Sequence, residues 1–316
     1  MPVIKVKDIA YGRLRSPDLD VQEEFLTEFG MVRVERTNDA LYMRGTDGDQ
    51  FVHVTHKADK PSWVGFAYNA ASEEDLEIIS KVPGATGIEN MDEPGGGKRV
   101  RLTEPNGFQI EIVHGQAKHD PIPVRFQKLN MGPESENRAG ELMRIDTGKS
   151  RVKRIGHGVM GATNLKETVA WFRETLGFIG SDDVYAGQED NLMGSFSRCD
   201  QGENYVDHHV FFCIQSDHAG LNHLSYEVAD VDDVFTGHEY LKGLDKYEHM
   251  WGLGRHILGS QIFDYWADPY GRVHEHWSDS DRLNVANGSN LIAAEEGLGS
   301  QWGEPAPQKF IDRILA

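Results

Sequence analysis

The stretch from His256 to Trp277 reads HILGSQIFDYWADPYGRVHEHW, and its pattern predicts a strand, a turn and a second strand. It also contains three histidines, two tyrosines and a glutamate. Its second part has a counterpart earlier in the chain, since WADPYGRVHEHWSD at 266–279 corresponds to LTEPNGFQIEIVHG at 102–115. In each copy a Pro-x-Gly turn precedes a strand that carries a glutamate six residues after the proline. This repetition predicts a chain built from copies of one unit.

Two further pairs of segments extend the repeat. RIGHGVMGATNLKETVAWFRETLGF at 154–178 is similar to DIAYGRLRSPDLDVQEEFLTEFGM at 8–31, and each predicts a strand followed by a helix that ends at a glycine. Segments 63–79 and 221–235 each predict a strand followed by an acidic helix start. The chain should therefore contain four modules of a strand, a helix and further strands, paired into two domains.

The repeats divide the chain into four regions. We expect an N-terminal domain at 1–115, a linker at 116–150, a C-terminal domain at 151–280 and a tail at 281–316. The linker is polar and lacks periodicity, and the tail has no counterpart in the first half. We expect the tail to pack over one of the domains.

Composition excludes several classes of protein. The chain has 316 residues, of which 39% are hydrophobic and 26% charged, as in a globular protein. It has neither an apolar run of about 20 residues nor a signal-peptide pattern at its start, so we expect a cytoplasmic protein without a membrane partner. Its two cysteines, Cys199 and Cys213, form no CxxC motif. A formal charge of −19 argues against nucleic acid as a partner.

Alignment of the two halves indicates where a metal could bind. The paired positions are Tyr11 with His157, Gly65 with His223, and Glu111 with Glu275. Two imidazoles and one carboxylate bind a divalent first-row metal on one face and leave the opposite positions open, as in non-haem Fe(II) oxygenases. We therefore predict Fe(II) in the C-terminal domain, with Mn(II) as an alternative, and a metal-free N-terminal domain.

The spacing in the opening stretch is similar to that of a known family. The matching positions are Gly254, His256, Tyr265, Asp268, Pro269, Gly271 and Glu275. On these positions, and over about residues 3 to 280, the chain resembles the type I extradiol catechol dioxygenases of the vicinal oxygen chelate superfamily. The resemblance implies an α+β fold in which each domain is a pair of βαβββ modules that curl into a partly closed mixed sheet. One residue departs from the pattern, because Asp264 stands where the family has an apolar side chain.

The resemblance also implies roles for individual residues. His157, His223 and Glu275 would be the iron ligands, while His256 and Tyr265 would form hydrogen bonds with the substrate oxygens. The family's acid–base histidine lies on a strand between the two ligand histidines, where this chain has His208 and His209. We choose His208 for two reasons. The family's strand matches the segment HHVFF, and His208 lies 15 residues before His223. Strand alternation would turn His209 away, and a shift of register by one residue would exchange the two roles.

The implied activity is the cleavage of a catechol ring beside its two hydroxyls with O2. The resemblance also implies a homo-oligomer. Trp251, Phe263 and Trp266 near the site suggest an aromatic or alkyl-bearing catechol. His274 and His276 are expected at the surface or behind the ligands. Two alternatives stay open, namely another enzyme of the superfamily, such as a glyoxalase-type isomerase or a hydroxyphenylpyruvate-type dioxygenase, and a binding protein without turnover.

Overall fold

A computed structural model describes residues 1–125 and 128–316 of the chain. Phe126 and Gln127, which fall within the segment interpreted as a linker, lie outside the described residues. None of the helices in the described ranges is long and apolar enough to cross a membrane.

The first half forms one eight-stranded sheet from two modules. Its elements are β1 (Asp8–Ser16), α1 (Leu19–Glu28), β2 (Val32–Arg36), β3 (Ala40–Arg44), β4 (His53–Lys57), β5 (Ser62–Asn69), α2 (Glu73–Ile79), β6 (Glu89–Asn90), β7 (Lys98–Thr103) and β8 (Gln109–His114). The strand order is β2-β3-β4-β1-β5-β8-β7-β6, so the first strands of the two modules are neighbours at the centre.

The second half repeats this arrangement. Its elements are β9 (Val152–Ala162), α3 (Leu165–Leu176), β10 (Phe178–Tyr185), β11 (Leu192–Cys199), β12 (Val206–Asp207), β13 (Phe211–Gln215), β14 (Gly220–Val228), α4 (Val231–Leu244), β15 (Glu248–His256), β16 (Ile262–Ala267) and β17 (Val273–Ser278). The order β10-β11-β13-β9-β14-β17-β16-β15 matches the first sheet strand for strand. Parallel and antiparallel pairs occur in both sheets, which confirms the α+β class with paired βαβββ modules.

Helix α3 illustrates how the sequence specifies these elements. The side chain of Asn164 accepts a hydrogen bond from the backbone N–H of Glu167 and caps the first turn. Gly177 ends the helix with a φ of 75°, a left-handed conformation that glycine adopts at little cost. The apolar stripe that includes Leu165 and Phe172 is buried. This stripe holds the helix against the sheet.

The two sheets pack against each other through reciprocal contacts near their centres. Phe66 of β5 lies against Gly158 of β9, and Leu224 of β14 lies against Gly12 of β1. A Cβ atom at Gly158 would lie 2.3 Å from the Phe66 ring, and one at Gly12 would lie 2.7 Å from Leu224. Because the two contacts involve equivalent positions of the repeat, the same glycine in each half permits this close approach.

The tail extends both edges of the second sheet. It contains β18 (Arg282–Leu283), a 3-10 turn (Val285–Asn287), β19 (Asn290–Ala293), α5 (Ala294–Gly297), β20 (Ser300–Gly303) and α6 (Gln308–Ile311). β19 pairs with β10, and β20 pairs with β15. Edge strands carry unpaired backbone groups, so this pairing protects both edges of the sheet. The domain limits given above stay predictions.

The buried side chain of Arg272 forms an ion pair within the second half and also joins the two halves. Arg272 is paired with Asp268 at 2.6 Å, and its guanidinium donates hydrogen bonds to the carbonyl of Arg15 and the side chain of Gln22 in the first half. Arg272→Met should lower the free energy of unfolding by about 3–5 kcal/mol, because it leaves the Asp268 carboxylate buried without its partner. Urea unfolding monitored by tryptophan fluorescence would measure this change.

The matched control for this prediction is Arg33→Met. Arg33 and Glu23 form an ion pair at 2.9 Å, but the Arg33 side chain is 56% exposed. Loss of an exposed pair costs less than about 1 kcal/mol. Equal effects of the two substitutions would refute a joining role for Arg272.

Candidate active site

The residues aligned as His, His and Glu meet on three neighbouring strands. His157 lies on β9, His223 on β14 and Glu275 on β17, and these strands are adjacent at the centre of the second sheet. Ser225 of β14 lies opposite both His157 and Glu275, so these three residues form one row across the sheet. His223 is two residues before Ser225 and therefore faces the same side. Residues far apart in sequence are brought together by this register.

The three side chains are buried and their polar atoms converge. His157 Nε2 is 3.1 Å and His223 Nε2 is 3.5 Å from Glu275 Oε2. Ser225 Oγ donates a hydrogen bond to the same carboxylate. His157 Nδ1, His223 Nε2 and Glu275 Oε1 are buried without a hydrogen-bond partner among the described residues. Buried polar atoms without partners are rare, and these atoms are of the type that bind a divalent metal.

The orientation of His223 is set by its neighbour. His223 Nδ1 donates a hydrogen bond to Asn222 Oδ1 at 2.6 Å. The amide nitrogen of Asn222 donates in turn to the carbonyl of Arg313 in the tail, at 2.9 Å. With the proton on Nδ1, the lone pair of His223 Nε2 faces the carboxylate, as a metal ligand requires.

The charge states of the cluster suit a divalent cation. Burial lowers the pKa of His223 to about 3, so this ring is neutral at pH 7. Burial alone would raise the pKa of Glu275, but the nearby rings of His157 and His256 hold it well below its usual range. A carboxylate beside a neutral imidazole leaves negative charge in a buried site, which a metal would balance.

His256 and Tyr265 lie beside this cluster on β15 and β16. His256 Nε2 is 2.9 Å from the hydroxyl of Tyr265 and 3.6 Å from Glu275 Oε1. Burial raises the pKa of Tyr265 well above its usual value, and the charge of Glu275 raises it further. The phenol therefore keeps its proton and stays a hydrogen-bond donor at neutral pH.

The histidine doublet has the opposite orientation to the one we expected. The ring of His209 is centred 4.1 Å from that of His157, whereas His208 Nε2 donates to Asp182 Oδ2 at 2.6 Å. The doublet falls between the end of β12 and the start of β13, so strand alternation does not continue through it. The structure thus brings His209 to His157 and turns His208 toward β10.

The equivalent region of the first half contains a guanidinium. Tyr11 donates a hydrogen bond of 2.5 Å to Glu111, and Arg13 Nη2 donates another of 3.0 Å to the same carboxylate oxygen. Arg13 lies opposite Gly65 on the neighbouring strand, where the absent side chain corresponds to His223 of the second half. Sequence comparison did not identify Arg13, although it follows Tyr11 by two residues and so shares its face of β1. The positive charge of Arg13 therefore already balances the negative charge of the Glu111 carboxylate.

Aromatic side chains surround Tyr265. Trp251 is stacked on it with ring centres 5.5 Å apart, and Phe263 is stacked on His256 at 3.9 Å. Phe310 of the tail lies 4.6 Å from Tyr265, and it could not be predicted from the repeat because the tail has no repeated counterpart. Trp266, which we also expected near the site, lies on the other face of β16, where it donates a hydrogen bond to Asp264.

His274 and His276 are buried, so neither lies at the surface. His276 Nε2 donates to the carbonyl of Phe29 at 2.6 Å, and its ring is stacked on the ring of Phe29. His274 packs parallel to Tyr226 with ring centres 6.1 Å apart. Both histidines face the helices on the side of the sheet opposite to Glu275.

No family model matches the sequence. Metapyrocatechase 2 of Cupriavidus necator is 28% identical over 97% of this chain and 92% of its own. This likeness extends through both halves. The chain is related to the type I extradiol dioxygenases of the vicinal oxygen chelate superfamily.

Solved structures agree with the fold of this dioxygenase. Homoprotocatechuate 2,3-dioxygenase from Brevibacterium fuscum has a TM-score of 0.78 and 16% identity, with coverage of 99% of this chain and 94% of that one. The Mn(II)-bound glyoxalase from Novosphingobium aromaticivorans has a TM-score of 0.77 and 22% identity, with 96% and 94% covered. At these identities the two structures support the fold alone.

Proposed function

We propose that this dioxygenase opens the ring of a catechol-type diol beside its two hydroxyls, with O2 as co-substrate and Fe(II) held by His157, His223 and Glu275. The observation that carries the proposal is the convergence of two imidazoles and one carboxylate, in which His223 Nε2 and Glu275 Oε1 are buried without a hydrogen-bond partner among the described residues. These donors also suit Mn(II), the metal in the related glyoxalase structure. Fe(II) is our choice because this ligand set is typical of iron oxygenases.

A divalent ion with these three ligands would offer open positions to both diol oxygens and to O2, and would allow electron density to pass between them. The protein residues then have three tasks, which are to orient the diol, to enclose its ring and to move a proton.

Tyr265 and His256 suit the first task. Their polar atoms lie next to each other and next to Glu275, so a diol oxygen close to the carboxylate would also be within reach of both side chains. The protonated phenol of Tyr265 can donate a hydrogen bond to a diol oxygen that has lost its proton. This interaction would favour the ionised diol over the neutral one.

Trp251 and Phe310 suit the second task. Both rings contact Tyr265, and their own centres are 5.1 Å apart. They offer an apolar surface beside the polar cluster, which supports an aromatic or alkyl-bearing catechol as substrate. The relative named metapyrocatechase supports a catechol in the same way.

His209 suits the third task, so we transfer the acid–base role from His208 to it. Its ring is beside His157, and burial together with the neighbouring His157 holds its pKa well below the usual value. A neutral imidazole can accept a proton from the diol and donate it again later in the reaction. His208, hydrogen-bonded to Asp182, is 3.0 Å from His209 between their Nδ1 atoms and positions that ring.

Two further parts of the proposal concern the cellular compartment and the oligomeric state. We infer a cytoplasmic protein, which the two free buried cysteines support, because reduced thiols are usual in that compartment. We also infer a homo-oligomer from the resemblance to the family.

Anaerobic loading with Fe(II), followed by O2 and a panel of catechols, tests the proposed function. We expect oxygen uptake with one or more catechols and a yellow ring-opened product. A glyoxalase-type isomerase would turn over its substrate without consuming oxygen, and a binding protein would retain the catechol unchanged. Either result, with iron bound and no oxygen uptake across the panel, would contradict the proposal.

A further inference from the structure

A second group of metal-binding side chains lies on the other face of the same sheet. We call it the outer triad, and it consists of His238 on α4, His249 on β15 and Asp264 on β16. Asp264 precedes Tyr265 on the strand, so the two side chains point to opposite faces and the outer triad is separate from the proposed iron site. Asp264 is also the position at which the chain departs from the family's pattern.

The donor atoms of the outer triad converge on one point. His238 Nδ1 and His249 Nε2 lie 3.1 and 2.8 Å from Asp264 Oδ1. All three donor atoms are within 4.8 Å of one another. In a tetrahedral zinc site with bonds of about 2.0–2.1 Å, neighbouring ligand atoms are about 3.3 Å apart. Small movements of the two imidazole rings would therefore produce that geometry.

The carboxylate is held in place by its surroundings. Trp266 Nε1 donates a hydrogen bond of 2.5 Å to Asp264 Oδ2, which leaves Oδ1 for the histidines. Gly252 lies opposite on β15, where a Cβ atom would be 2.8 Å from Oδ1. The absent side chain leaves the space beside this oxygen open. A fixed second partner for the carboxylate is typical of metal ligands.

The charge of Asp264 needs a cation. The side chain of Asp264 is fully buried, and its ion-pair contacts among the described residues are to His238 and His249. Across the sheet, the buried His276 of β17 is its neighbour, and the indole of Trp266 is uncharged. A buried carboxylate requires a paired charge or a metal. A divalent ion would satisfy all three groups at once.

The outer triad is also accessible from solvent. The side chain of His249 is 32% exposed and that of His238 is 13% exposed, while Asp264 lies beneath them. An ion can therefore enter between the two rings, and water can fill a fourth position. We propose that the outer triad is a second metal site, which binds Zn(II) through His238 Nδ1, His249 Nε2 and Asp264 Oδ1 and ties α4 to β15 and β16.

The test separates this site from the iron site. In the Glu275→Gln background, which removes a ligand of the iron site, metal-stripped protein is given ZnCl2, dialysed and analysed for zinc. We expect one zinc per chain, and none after the further change His249→Asn. Changes around a metal ligand cost about 10- to 100-fold in affinity, so loss of a ligand should cost at least 100-fold. His238→Gln should have the same effect from the helix side.

A control and an independent measurement complete the test. His114→Asn in the same background alters a histidine on β8 of the other half and should leave the zinc content unchanged. ZnCl2 should raise the melting temperature of Glu275→Gln but not that of Glu275→Gln/His249→Asn. No zinc in Glu275→Gln, or the same zinc content with and without His249, would overturn the proposal. Oxygen uptake by iron-loaded His249→Asn should stay within about twofold of the parent, so this result is independent of the proposed ring cleavage.

Discussion

Iron should be lost when Glu275 is replaced by glutamine. The amide keeps the shape of the side chain and can still accept the hydrogen bond from Ser225, but it removes the negative charge between His157 and His223. We expect iron affinity to fall by at least about 100-fold, because altering groups around the ligands already costs 10- to 100-fold. Oxygen uptake with a catechol should fall to background. Iron analysis after gel filtration, together with oxygen-electrode rates, would measure both effects.

Glu111→Gln is the matched control for this prediction, because Glu111 is the repeat equivalent of Glu275. Its carboxylate faces Tyr11 and the guanidinium of Arg13, so no metal should depend on it. We expect the iron content per folded chain to stay at the parental value. Stoichiometric iron with normal activity in Glu275→Gln would rule out the proposed ligand set. Loss of iron in Glu111→Gln but not in Glu275→Gln would show that the metal binds in the N-terminal half instead.

The second large effect should come from His209. His209→Phe should retain iron and catechol binding but turn over about 100- to 10,000-fold more slowly, which is the usual cost of losing an acid–base group. The loss should be in kcat, because the ring contacts His157 without serving as a ligand in our proposal. Steady-state oxygen uptake at matched iron content would provide the comparison.

His208→Phe is the control for His209→Phe, since it changes the adjacent ring of the same doublet. Its bond to Asp182 directs it away from the ligands, so turnover should stay within about tenfold of the parent, a change of at most about 1.4 kcal/mol. If His208→Phe were the inactive variant, our original assignment from the family match would stand. If both variants kept full activity, proton transfer would depend on another group.

The repeated modules could be predicted because their signals are local. Asn164 caps a helix whose apolar stripe has the period of an α-helix, and a Pro-x-Gly turn precedes a strand in both halves. Such patterns depend on residues a few positions apart. The candidate ligands could be aligned for a related reason, since His157 and Glu275 lie on regular strands at repeated positions, where register follows from the module.

Other features depended on the packing of distant segments. The outer triad joins α4, β15 and β16, and Arg13 meets Glu111 across 98 residues of sequence. Phe310 reaches Tyr265 because the tail runs along the edge of the sheet, and no repeat indicates that path. None of these contacts has a periodic pattern in the sequence.

The histidine doublet combines a feature that is visible in the sequence with one that depends on tertiary contacts. The sequence alone shows a pair of histidines between His157 and His223, and the module repeat predicts that β9, β14 and β17 carry the His, His and Glu set. Which histidine of the doublet faces that set depends on contacts with other strands. Side chains alternate strictly only while the backbone stays in a strand, and residues 208–210 lie between two strands. Their directions are set instead by Asp182 and by the ring of His157, which reach the doublet from other strands.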